Sequence, residues 1–377
     1  MPKQGLPVTP ALVTWARTRA GLSIEDAKKF GKIDEWESGT SGPSYPQLEA
    51  LATALKVPVA AFFFPEPPNL PNIEQTFRTL PDAELAEIPG RVKLLLRKAK
   101  AFQLNLVELT GGKNPARRMI INDLKFAADA DVAKAAAQVR EYLGVSIETQ
   151  QSWDDDETAL KAWRQALQEV GIFVFKDAFK VEEFSGFCLY DDSFPLIYVN
   201  NSAAKTRQIF TLFHELAHLL FKTSGIDTLD GGYIEKLHGD PKKIEVFCNS
   251  FAAEFLFPTT AFEKEMLGQD PTEVIAERLA ARYHISREFV FRRFLDRSWI
   301  DEAVYIAAAK RWSQQRRSGS GGDYYWTKLS YLGREYVALA LSEFHRSRIS
   351  EVQLANYLDT KPKNLAGIED YFARGSS

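Results

Sequence analysis

Phe210-Thr-Leu-Phe-His-Glu-Leu-Ala-His-Leu-Leu-Phe221 is the stretch on which the fold turns. Its apolar residues recur on a helical period, and His214 and His218, four apart, lie one above the other on a helix. Two imidazoles so placed can share one ion, with Glu215 beside them as a base. Arg207, Thr211, His214, Glu215, His218 and Lys222 form a single polar stripe, while nearly everything else across 209–221 is apolar. A buried helix with one polar stripe suits a metal at the floor of a cleft, because buried charge must be paired or metal-bound. A surface helix held by ion pairs four residues apart would need no apolar flanks.

A catalytic zinc has three protein ligands and one open position, so a third ligand is expected from a second helix. Asp240-Pro241 reads as an N-cap followed by proline at the first helical position, and Pro258 ends that helix. Glu245 within it is the expected third ligand to one zinc per chain. Asn249, one turn later on the same face, is expected to orient a ligating imidazole. His238 is the rival ligand, in a Gly-flanked loop. Zinc lowers the pKa of water to about 7, and Glu215 would take the proton and return it to the leaving group.

Working outward, a helix over 158–170 leads into three β-like runs at 171–175, 184–190 and 195–199. Helices fill most of 203–297, so the fold class is α+β, a small sheet in mostly helical surroundings. The chain divides by texture into a domain of short helices at 1–64, a Pro-rich hinge at 65–71 and a helical connecting region at 72–150. The α+β core follows at 151–300, then a helix and flexible linker at 301–322, and a helical module at 323–377. Residues 287–317 hold eight Arg or Lys against four Asp or Glu, interleaved with aromatics. That texture reads as a solvated helix face over a buried aromatic stripe.

Apolar residues make up 45% and charged residues 26% of the 377, ordinary for a folded, water-soluble chain. A net charge of -3 argues against a protein dominated by nucleic-acid contacts. Cys188 and Cys248 are the only cysteines and form no metal or disulfide framework pattern, which points to the cytoplasm. Neither a signal peptide nor a membrane-spanning run is expected.

The segments Thr206-Arg-Gln-Ile-Phe-Thr-Leu-Phe-His-Glu-Leu-Ala-His-Leu-Leu-Phe221 and Ile244-Glu-Val-Phe-Cys-Asn-Ser-Phe-Ala-Ala-Glu-Phe-Leu-Phe-Pro258 together resemble the ImmA/IrrE metallopeptidases. Gly186, the run Ile197, Tyr198, Val199 and Asn200, and the segment 276–294 extend the resemblance over roughly 130–297. It implies a zincin-like peptidase core with His214, His218 and Glu245 as ligands. It further implies an endopeptidase that inactivates a DNA-binding repressor or antitoxin by limited cleavage. Tyr233 and His238 are candidate oxyanion donors. Ile197, Tyr198, Val199 and Asn200, taken as an edge strand, would hold an extended substrate by strand addition.

Residues 8–64 resemble a Cro/repressor-type helix-turn-helix domain, through Ala16-Arg-Thr-Arg-Ala-Gly-Leu-Ser23, Trp36-Glu-Ser-Gly39 and Tyr45-Pro-Gln-Leu48. Between Ala27 and Trp36 the chain is a few residues short for a full recognition helix. Residues 1–64 carry seven Lys or Arg against six Asp or Glu, which favours protein docking over sequence-specific DNA binding. The alternative function is a DNA-binding regulator whose zinc domain is a non-catalytic sensor. The helices after 322 are expected to sense a signal or mediate a homodimer.

Overall fold

The computed structural model describes residues 5–20, 22–55, 57, 59–67, 88–127, 129–228, 239–315 and 322–375. These form two compact units, with the division after Lys98. In the first, α1 (Pro10–Arg19), α2 (Ile24–Ala27), α3 (Ile33–Ser38) and α4 (Tyr45–Leu55) close around Val13, Trp36, Leu48, Leu51 and Phe62. Ser23 caps α2 by accepting from the Asp26 amide, and Gly39 ends α3 at a left-handed φ of 75°. The shortfall read between Ala27 and Trp36 appears as a four-residue α2 and a six-residue α3. Helix α3 carries Asp34, Glu35 and Glu37, and Arg17 grips Glu37 at 2.6 Å.

The second unit opens with the remainder of α5 (Gly90–Thr110), in whose course the division falls. Helix α6 (Val132–Leu143) is capped by Asp131 and stopped by Gly144 in the left-handed region. Asp155 caps α7 (Asp156–Glu169) by accepting from the Thr158 amide at 2.7 Å. Three strands follow, β1 (Phe173–Asp177), β2 (Phe184–Leu189) and β3 (Leu196–Asn200), and each falls on one of the β-like runs. Helix α8 (Lys205–Leu220) leads to a fourth strand, β4 (Ile226–Thr228), and α9 (Asp240–Leu256) comes next. Strand β4 escapes sequence reading because three residues make no alternation.

The strand order is β1-β3-β2-β4, with β1 and β3 parallel and the other pairs antiparallel. Strand β3 therefore lies inside the sheet, paired on both sides. The expectation of an edge at Ile197, Tyr198, Val199 and Asn200 is corrected: their main-chain groups are taken by β1 and β2, so no incoming strand can bond them.

One sheet face packs on α7 and α8, where Trp163 meets Phe213 and Phe255 edge-on. The other face meets helices that the sequence sets apart as a terminal module. Helix α10 (Tyr324–Leu332) packs on β1, and Tyr336 of α11 (Arg334–His345) sits edge-on to Phe102 and Phe175. Half-buried Arg164 donates to Val174 O and to the carbonyls of Ser330 and Tyr331, tying strand, helix and terminal helices together. Residues 99–375 thus share one unit. None of the described helices is long and apolar enough to cross a membrane.

Candidate metal centre

The middle of the polar stripe of α8 is buried: His214 is 1% exposed, and Glu215 and His218 are 0%. The helix packs against α9 along most of its length, and this brings Glu245 opposite the two rings. His218 Nε2 lies 3.2 Å from Glu245 Oε1, and His214 Nε2 lies 3.6 Å from Oε2. The two Nε2 atoms are 3.2 Å apart. One ligand atom from each of the three residues lies within 4.8 Å of the others.

These spacings test whether an ion fits. Zinc–ligand bonds of about 2.0–2.1 Å in a tetrahedron put neighbouring donors about 3.3 Å apart, close to the 3.2, 3.2 and 3.6 Å found. Two imidazole nitrogens facing each other beside a carboxylate are the donor set that a borderline divalent ion satisfies. The residues fit zinc.

Electrostatics separate the rings. Burial holds His214 below the ordinary histidine range. Burial would also lower His218, but Cys248 and Glu245 outweigh it and hold that imidazole well above its usual value. Burial pushes the Glu215 carboxyl up to about 8, against the opposing pull of His218 and of the Cys188 thiol, which lies beside it as a weak donor. A carboxyl buried on the face of the ligands, with a weak thiol donor beside it, is placed to hold a proton in transit.

The remaining stripe anchors the helix to the edge of the sheet. Asp227 of β4, 3% exposed, accepts from Arg207 Nη2 at 2.8 and 2.9 Å and from Thr211 Oγ1 at 2.9 Å. Arg207 Nε also donates to Ser185 at 3.0 Å. Gly186 allows this approach, because a Cβ there would sit 2.5 Å from Thr211 Cγ2 and 2.8 Å from Tyr198 O. The edge strand beside the metal residues is therefore β4, while Tyr198 is stacked on Phe187 inside the sheet. Asn200 binds the loop after β1, accepting from the Phe179 amide and donating to Phe184 O.

Asn249 is half-buried one turn beyond Glu245, and among the described residues it makes no hydrogen bond to either imidazole. Thr223 is the side chain beside His218 Nδ1, at 3.5 Å. Tyr233 and His238 lie outside the described residues. Asp227, Thr223 and Gly225 went unnoticed in the sequence, and only a Thr-x-Gly just past the helix end hinted at the last two.

Residues 167–295 match the family model of the IrrE N-terminal-like domain of the M78 peptidases. The radiation response metalloprotease IrrE of Deinococcus deserti is 30% identical over 135 residues, which are 35% of this chain and 46% of that protein. The chain thus spans under half the length of that relative. The family match takes in the two metal helices and the sheet edge between them, and both matches support a metallopeptidase domain.

Proposed function

We propose that this chain is a zinc-dependent endopeptidase that inactivates a DNA-binding repressor or antitoxin by limited cleavage, on a zincin-like core. The carrying observation is the buried His214, His218 and Glu245 group with the fully buried Glu215 carboxyl beside it. Both ring Nε2 atoms and Glu245 would hold the ion. When bound, zinc supplies Lewis acidity toward a scissile carbonyl and lowers the pKa of water to about 7. Glu215 receives the proton released as water attacks, and delivers it to the leaving amine. The apolar walls of α8 and α9 exclude bulk water, which strengthens each polar interaction. A substrate segment laid along β4 would find main-chain partners on an edge that is unpaired among the described strands, next to Gly225 and the His218 ring.

The amino-terminal unit fits protein docking better than DNA reading. Its α3 presents Asp34 and Glu35 where a recognition helix would present cations, and phosphate repels such a face. A non-catalytic sensor would need no buried carboxyl on the face of its ligands, so the peptidase reading is preferred. The test is co-expression with the proteins encoded beside it, followed by mass measurement of every partner. A helix-turn-helix partner cut at one site in the presence of wild-type protein, and intact with Glu215→Gln, supports the proposal. Partners left whole under all inducing conditions contradict it.

A further inference from the structure

Helix α8 ends in a reversal that folds back over its own last ligand. Lys222 takes a left-handed φ of 58°, and the next amide, from Thr223, donates to His218 O at 3.0 Å. The Thr223 hydroxyl also donates to His218 O, at 3.1 Å, and the same oxygen lies 3.5 Å from His218 Nδ1. A hydroxyl has one proton and two lone pairs. With its proton on the carbonyl, Thr223 Oγ1 can only accept from the ring, so Nδ1 must carry hydrogen. In the neutral ring that binds a metal, the lone pair is then left on Nε2, the nitrogen that faces Glu245 Oε1 and His214 Nε2.

Two residues later the chain closes on the ring itself. A Cβ at Gly225 would lie 2.6, 2.7 and 2.9 Å from His218 Cδ2, Cγ and Nε2, so backbone lies flat against the imidazole where only glycine fits. The turn is fastened to β2 from behind. Gly225 N donates to Cys188 Sγ at 3.2 Å, and Cys188 N donates to Gly225 O at 3.0 Å. His214 has no counterpart: its Nδ1 meets no hydrogen-bond partner among the described residues.

We infer that Thr223 is a positioning residue of the metal centre, its hydroxyl fixing the His218 tautomer while Gly225 fixes the ring. His218 is then the pre-set ligand and His214 the adjustable one. The inference rests on the metal reading above. Partners of this kind typically govern metal affinity by 10–100-fold.

The test compares full-length wild type, Thr223→Val, which keeps shape without the hydroxyl, and Thr223→Ser, which keeps the hydroxyl. Zinc affinity is read by competition with a chromogenic chelator, and the folded state by circular dichroism of the metal-free chains. Thr223→Val should bind zinc about 10–100-fold more weakly with unchanged dichroism, and Thr223→Ser should stay near wild type. In wild-type protein labelled with ¹⁵N-histidine, the His218 Nδ1–H proton should exchange more slowly than that of His214. That measurement decides the matter even if Thr223→Val does not fold. Equal zinc affinity in Thr223→Val, or equal exchange at the two rings, would overturn the role of Thr223 alone. A wild-type chain that binds no zinc would overturn the metal centre and this inference with it.

Discussion

At the scale of single residues, Glu245 is the side chain that turns a pair of histidines into a three-donor site. Its two oxygens face one ring nitrogen each, at 3.2 and 3.6 Å. Glu245→Ala should therefore abolish tight zinc binding, whereas Asn249→Ala should leave it near wild type, both read by metal analysis after dialysis. Loss of zinc in the Asn249 variant would show that this amide reaches a ring after all. The ligand triad was legible because its chemistry imposes residue types at helical spacing. Helix boundaries around Glu245 were signalled by Asp240-Pro241 and by Pro258. Thr223 was not legible, because a threonine after a helix end is ordinary and only the left-handed turn at Lys222 carries it to the ring.

Among elements, the contact between α8 and β4 decides how the helix of the metal residues is held against the sheet. Asp227 gathers Arg207 and Thr211 from two successive turns of α8, and all its partners lie toward the helix. Asp227→Ala leaves a guanidinium and a hydroxyl without their acceptor, at a cost of about 2 kcal/mol after allowing for the partly exposed Arg207. Urea unfolding should show that loss as a lower midpoint at unchanged slope, and a midpoint equal to wild type would deny the clamp. The β-runs before α8 were readable as strands, since Phe173–Asp177 and Leu196–Asn200 are continuously buried. Their order was not. Buried on both faces, β3 looks like any apolar run, and the pairing that makes it interior involves partners more than twenty residues away.

For the whole molecule, the texture break at 316–322 proved a poor guide to folding units, because aromatic contacts cross it. Tyr336 accepts from Asn105 and donates to Tyr357 O, both at 3.0 Å, beneath the rings of Phe102 and Phe175. Tyr336→Phe should lower stability by about 1–2 kcal/mol by orphaning those groups, and removing 323–377 should expose the sheet face and cost zinc binding through misfolding. A truncated chain with a normal melting transition would contradict that. Deleting 1–64 should leave zinc binding intact, since the first unit has its own core of Val13, Trp36, Leu51 and Phe62. The central claim is that a metal held by His214, His218 and Glu245 serves hydrolysis with Glu215 as the base, and one comparison tests it most directly. Wild-type and Glu215→Gln proteins, each analysed for metal and then mixed with the physiological partner, should hold equal zinc, about one ion per chain. Cleavage should fall by on the order of 10² or more in the variant, as for loss of a positioned base. Equal cleavage by the two proteins at equal zinc content would contradict the account.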